Sequence, residues 1–231
     1  MRSGASKEEK NTLFHERYNN TFYFTDKPAG IPYMIAPGKR LCGVASPDWG
    51  TLLVQLPWWI YVYYGNQQIL ETYYPQMKQW TLYVNSLAKN EERKKLYNQE
   101  TTSTIYQGLG DWCPPVYEST DPTPVEFTST AFHYLDTEIM EQVAHLLAKE
   151  SDEAYFSLQK EQIAQEMIAT QYDPVNKTFG TQTADAMALD LGIVPRGDER
   201  AVSASIVRSM QDKSEGFMQC GIFGISRIGS M

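Results

Sequence analysis

Two short stretches concentrate the polar and aromatic chemistry of this chain, SPDWG at 46–50 and GDWCPP at 110–115. Each sets an aspartate directly before a tryptophan, Asp48–Trp49 and Asp111–Trp112, at the mouth of a helix-forming segment. An indole face stacks on the apolar C–H face of a sugar ring, and a neighbouring carboxylate accepts hydrogen bonds from hydroxyls. These four residues are therefore the candidate substrate-binding set. The competing reading makes the tryptophans core anchors and the aspartates helix caps. Hydrolysis of a glycosidic bond needs two carboxylates across the scissile bond. Asp48 and Asp111 could form such a pair, but the sequence gives no distance between them.

Other reactive residue types offer less. Glu126, Asp136, Glu138 and Asp185 fall on helical segments, where capping or solvation is the expected use. His133 lies on a mostly apolar helix and reads as a hydrogen-bonded core histidine rather than a base. No Ser or Cys has a partner at suggestive spacing, so a nucleophilic triad has no support. Gly108 and Gly110, and Gly221 and Gly224, make no phosphate loop because no strand precedes them. Cys42, Cys113 and Cys220 are odd in number and widely spaced, which indicates neither a disulfide framework nor a metal site. No metal and no cofactor is expected.

The partners are narrowed by charge and hydropathy. A net charge of −8, with no basic face, argues against nucleic acid, because phosphate backbones require clustered positive charge. Arg93-Lys94-Lys95 follows Glu91-Glu92 and reads as a solvated helix end. No apolar stretch approaches the roughly 20 residues that cross a bilayer, so no membrane partner is expected. The opening MRSGASKEEK has no apolar core of the kind a signal peptide carries. Aromatic residues make up 13% of the chain, a content that suits cores and sugar clefts alike.

The elements that must position the two Asp-Trp pairs are helices. Residues 1–45 are rich in breakers (Pro28, Gly30, Pro32, Pro37, Gly38, Gly43) and read as an irregular segment leading into the domain, which occupies 46–231. Asp48 is placed to cap a helix through TLLVQLPWWIYVYY, ended by Gly65-Asn66 and kinked or divided at Pro57. That helix is apolar nearly all round, which predicts burial on most faces. A second helix follows through QQILETYYPQMKQWTLYVNSLAK, with Ile69, Leu70, Tyr73, Tyr74, Met77, Trp80, Tyr83 and Val84 at three-and-four spacing and a break at Pro75. Residues 89–104 read as a polar loop, and GLGDWCPP as a rigid irregular one. Thr123-Pro124, with Glu126 three residues after the threonine, predicts a capping box opening a helix over about 124–148. Ser151-Asp152 opens another, YDPVNKTFG is a turn, and TQTADAMALDLGI and DERAVSASIVRSMQ are two further helices. GFMQCGIFGISRIGSM reads as the start of an inner helix that stops short. The fold class is all-α, helix pairs with long loops at one end and no convincing strand.

Taken together, SPDWG with VQLPWWIYVYYGNQQILETYYPQMKQW, then GLGDWCPP, TPVEFTSTAFHYLD, TFGTQTADAMALDLGIVP and GFMQCGIFG resemble, in order, segments of the bacterial α-L-rhamnosidases of glycoside hydrolase family 78. The resemblance covers roughly residues 30–231. It implies an (α/α)6 barrel of six helical hairpins, of which 231 residues supply an incomplete part. It also implies that Trp49 and Trp112 match aromatic residues walling the methyl group of rhamnose, with Asp48 and Asp111 as sugar-hydroxyl contacts. In that family the general acid is a Glu within an Asp-Cys-Pro…Glu-Arg…Gly-Trp…Gly-Asp segment upstream of the Pro-acid-Trp-Gly turn, and residues 1–45 do not contain it. The family's general base is a Glu beyond the Gly-Phe…Gly segment, where this chain ends. No catalytic residue is therefore expected within the chain. The expectation is a fragment of an inverting hydrolase that removes terminal α-L-rhamnose from glycosides or polysaccharides, inactive alone.

Two alternatives differ in what they require. Another six-hairpin glycosidase, acting on uronic acids or glucosides, would call for basic residues near the tryptophans, and only Lys39 and Arg40 lie close in sequence. A non-catalytic helical scaffold or carbohydrate-binding piece would need no carboxylates at all. An incomplete barrel would also leave inner-helix faces such as LLVQLPWWIYV without partners, which predicts self-association.

Overall fold

The computed structural model describes residues 46–88, 104–105, 108–115, 123–213 and 215–228. Within these every regular element is a helix, with one isolated bridge pairing Asp173 and Thr178 across a turn. The irregular segment 1–45 (with Lys39, Arg40 and Cys42) and the basic run Arg93–Lys95 lie outside the described residues.

In chain order the helices are α1 (Pro47–Gly50), α2 (Leu52–Tyr64), α3 (Gln67–Ala88), α4 (Val125–Leu146), α5 (Glu150–Gln171), α6 (Gln182–Asp190), α7 (Glu199–Lys213) and α8 (Ile222–Ile228). Gly65, at φ 65°, ends α2 in the left-handed conformation that a residue without Cβ adopts at least cost, and α3 begins two residues later. Three residues join α4 to α5, and eight join α6 to α7, so successive helices pair as hairpins. The closest pairings are α4 with α5, α2 with α3, and α6 with both α7 and α8. The hub is α4, which also touches α1, α2, α3 and α6.

Two apolar clusters explain this arrangement. The first joins Leu53 and Val54 of α2 to Ile69, Leu70, Tyr73, Met77, Trp80 and Val84 of α3, and to Ile139, Met140 and Val143 of α4. The second joins Phe127, Ala131 and Phe132, nearer the start of α4, to Ile163 and Met167 of α5, Met187 of α6 and Val202 of α7. One helix thus feeds both cores.

Burial differs from the sequence expectation in an instructive way. The helix buried nearly all round is α4, not α2: Phe127 through Tyr134, Asp136, Thr137, Ile139, Met140, Val143 and Ala144 are all buried. Its hydroxyls disguise this in sequence. Thr128 Oγ1 donates to the Val125 carbonyl at 3.1 Å and Thr137 Oγ1 to the His133 carbonyl at 2.7 Å, so these polar groups enter the core with partners from their own helix. By contrast, α2 leaves Leu52, Trp59, Val62, Tyr63 and Tyr64 exposed. Its apolar composition does not mean burial among the described residues.

Both α2 and α3 run through Pro57 and Pro75 without dividing, so the break expected at Pro75 is absent and the division offered as one outcome at Pro57 does not occur. A proline inside a helix removes one backbone bond and costs about 3 kcal/mol. In α3, burial of Ile69, Leu70, Tyr73 and Tyr74 before it and Met77, Trp80 and Val84 after it outweighs that cost, at roughly 1.5–3 kcal/mol per large apolar side chain. The capping box at Thr123 does not form. Pro124 occupies the cap position, and the Thr123 hydroxyl meets the Thr181 hydroxyl at 2.7 Å instead. Tertiary contact has taken the side chain that local pattern assigned to the helix end.

Candidate functional site

Asp48 lies in the first turn of α1 rather than at its cap. Ser46 and Pro47 accept the turn's backbone bonds, with Gly50 N donating to the Ser46 carbonyl at 2.8 Å and Thr51 N to the Pro47 carbonyl at 2.9 Å. The turn fits because residue 50 is glycine: a Cβ there would overlap the Trp80 ring. The Asp48 carboxylate, 5% exposed, points into the protein. Its Oδ1 accepts from the Ser46 hydroxyl and from Trp49 N at 3.1 Å, and its Oδ2 from Leu109 N at 2.6 Å. Burial pushes this acid up to about 6, with the Leu109 and Trp49 amides pulling the other way. The adjacent Trp49 is 42% exposed.

The second pair repeats the division of labour. Asp111 Oδ2 accepts from Gly221 N at 2.5 Å and from the Thr183 hydroxyl, and its Oδ1 accepts from Phe223 N at 3.3 Å. Ile222 N donates to the Trp112 carbonyl at 2.8 Å. The Trp112 side chain is 43% exposed. In both pairs the carboxylate therefore holds backbone and the indole faces outward.

The loop carrying the second pair also touches the first. Leu109, whose amide reaches Asp48, precedes Trp112 by three residues, a span of at most about 11 Å. The two Asp-Trp turns therefore lie near one another. Gly108 is needed at this junction, since a Cβ there would overlap Ser129 Oγ and stand 3.2 Å from Asp48 Oδ2.

Of the other acids, Asp136 is neither cap nor solvated, contrary to the sequence reading. It is fully buried on α4, accepting from Thr51 Oγ1 at 2.5 Å and from Trp80 Nε1 at 2.9 Å, while Gln55 Nε2 donates to Thr51 Oγ1 at 2.6 Å. Burial raises this acid to about 7, against the pull of the Thr51 and Trp80 bonds. Asp185 departs from the same reading. It is buried at the start of α6, accepting from Phe179 N at 2.6 Å, from Thr178 Oγ1 at 2.7 Å and from the Ser205 hydroxyl, and burial raises it. Burial likewise raises Glu138, with Lys160 opposing. Glu126 lies half-buried in the first turn of α4. His133 is buried in the interior, as a core histidine should be. Among the described residues no group of three His, Cys, Asp or Glu is placed to hold a metal ion, and no helix is long and apolar enough to cross a membrane.

Thr51, Trp80, Thr183, Ser129 and Gly221 belong to the site's support and were not legible as such. Each acts through a partner more than 20 residues away, and no local spacing records that.

The model of the bacterial alpha-L-rhamnosidase 6 hairpin glycosidase domain matches residues 6–231. The chain belongs to this family. Among curated relatives, an alpha-L-rhamnosidase of Formosa agariphila is 30% identical over 212 residues, covering 84% of this chain and 20% of the relative. One from an Alteromonas species is 26% identical, covering 91% and 23% respectively. The rhamnosidase-family chain thus spans about a fifth of the length of the curated relatives it matches. Two solved structures share its fold. The alpha-L-rhamnosidase of "Dictyoglumus thermophilum" superposes with a TM-score of 0.80 at 22% identity, over 94% of this chain and 24% of its own. That of Streptomyces avermitilis, complexed with L-rhamnose, gives 0.78 at 21% identity, over 95% and 20%. An all-α, incomplete six-hairpin barrel is the architecture these likenesses support.

Proposed function

We propose that this chain supplies part of the sugar-binding end of an inverting glycoside hydrolase that removes terminal α-L-rhamnose from glycosides or polysaccharides. The observation that carries the reading is the pair of outward-facing tryptophans, Trp49 and Trp112, each beside a carboxylate that accepts hydrogen bonds from the protein. Rhamnose is a 6-deoxy sugar, with a methyl group where L-mannose carries a hydroxymethyl. An indole wall favours that methyl, and a hydroxyl placed against it would lose its water partners. The family assignment and the rhamnosidases that resemble the chain support this substrate over a uronic acid or a glucoside.

The proposed substrate-binding unit comprises Asp48, Trp49, Asp111 and Trp112, with the indoles as contact faces and the carboxylates beneath them. The general acid and base are proposed to lie outside these 231 residues, so the chain alone does not turn over. An elevated carboxyl such as Asp48 would suit a general acid, but both its oxygens already accept protein hydrogen bonds. Titration of the chain with L-rhamnose and with L-mannose by isothermal calorimetry tests the reading. Tighter binding of L-rhamnose is expected, with the preference reduced about tenfold in Trp112→Ala. Equal affinity for the two sugars, or a preference indifferent to Trp112, would overturn it.

A further inference from the structure

The loop at 108–112 is bonded at both ends to elements far away in sequence. At one end Leu109 N donates to Asp48 of α1. At the other, Asp111 accepts from Gly221 N and Phe223 N at the start of α8 and from Thr183 of α6, while the Trp112 carbonyl accepts from Ile222 N. Glycines stand where the strap passes closest to its neighbours. A Cβ at Gly108 would overlap Ser129 Oγ, and one at Gly221 would overlap the Trp112 carbonyl and stand 2.5 Å from Asp111 Oδ1. Gly110, between the two anchor points, has φ 73°, a conformation that L side chains rarely adopt.

We propose that Asp48 and Asp111 are positioning residues, the two latches of a hydrogen-bonded strap that fixes Trp49 and Trp112 as one unit and ties α1 to α8. This refines the sugar-binding reading and rests on it for the consequence in binding, though not for the strap itself. A carboxylate suits each latch because one side chain accepts several backbone and hydroxyl donors at once, and such charge-assisted bonds are roughly twice as strong as neutral ones. Direct sugar contact would instead compete for acceptor sites that protein donors already occupy. Asp48 is buried with both oxygens bonded, and both Asp111 oxygens accept from the segment at 221–223. Loosening either latch should therefore move both indoles, including the one further along the chain.

Two readouts on the full chain separate the strap from the sugar. With 5-fluorotryptophan incorporated, the five tryptophans give 19F resonances that Trp→Phe variants assign one by one. Asp48→Asn is expected to shift the Trp112 resonance as well as that of its neighbour Trp49, and Asp111→Asn to shift that of Trp49. Gly108→Ala, which removes no carboxylate, should reproduce the Asp48→Asn pattern by pushing the strap off Ser129. Adding Ser129→Ala should return the resonances most of the way, because the offending Oγ is gone and makes no hydrogen bond among the described residues. Circular dichroism confirms that each variant is helical, and the rescued pair keeps the test decisive if a single variant unfolds. Asp48→Asn and Gly108→Ala shifting Trp49 alone, or Ser129→Ala failing to rescue a folded Gly108→Ala, would overturn the strap. In parallel, L-rhamnose affinity should fall about tenfold in Asp48→Asn and Gly108→Ala and recover in the double variant. Coupled resonances in a chain that does not bind L-rhamnose would uphold the strap and overturn the sugar reading alone.

Discussion

Asp136 shows what burial does to a carboxyl held by neutral donors: it accepts from Thr51 and Trp80 and rises to about 7. Between the ordinary carboxyl value of 3.8 and about 7, the folded chain keeps a proton that the unfolded chain has lost. The contribution of Asp136 is thus complete at about pH 4, falls as pH rises to about 7, and is level above. Asn in its place can accept from Trp80 and donate to Thr51 with no charge to bury. Asp136→Asn is therefore expected to gain on wild type across that window, by on the order of 4 kcal/mol in all, read as the difference in Tm between the two proteins at each pH. A constant difference from pH 4 to 8 would contradict the assignment. Sequence pattern singles out Asp48 and Asp111 as candidates because each is set beside a tryptophan. It misreads Asp136 and Asp185, because capping and core hydrogen bonding use the same residue type on the same helix.

At the scale of elements, the three-and-four spacing of α3 is a faithful record of its buried face, and Tyr83, only half-buried, marks its edge. The turn at 173–180 and the left-handed Gly65 are equally legible, since each is decided by residues a few positions apart. Composition fails where burial depends on other elements. A helix of threonines and serines became the hub, while the most apolar helix kept one side open. Exposed area of the kind that Trp59, Val62, Tyr63 and Tyr64 present promotes association. Light scattering of the chain is expected to report species larger than a monomer, shifted toward monomer by Val62→Ser with Tyr63→Ser. A clean monomer at the outset would contradict it.

For the whole molecule, the helical class and the family follow from motifs that keep their order along the chain, and the family model matches nearly all of it. The two Asp-Trp turns come from segments about 60 residues apart, and the Leu109 amide on Asp48 brings them together. That convergence depends on the fold as a whole and so left no trace in local sequence. It suits the proposed sugar-binding wall, for which the catalytic carboxylates are proposed to lie outside these residues. Release of chromophore from an aryl α-L-rhamnoside by the folded, helical chain tests this most directly. The expected result is no release above the buffer rate. Turnover comparable to that of a family enzyme, abolished by Asp48→Asn or Asp111→Asn, would contradict it and make those two carboxylates the catalytic pair.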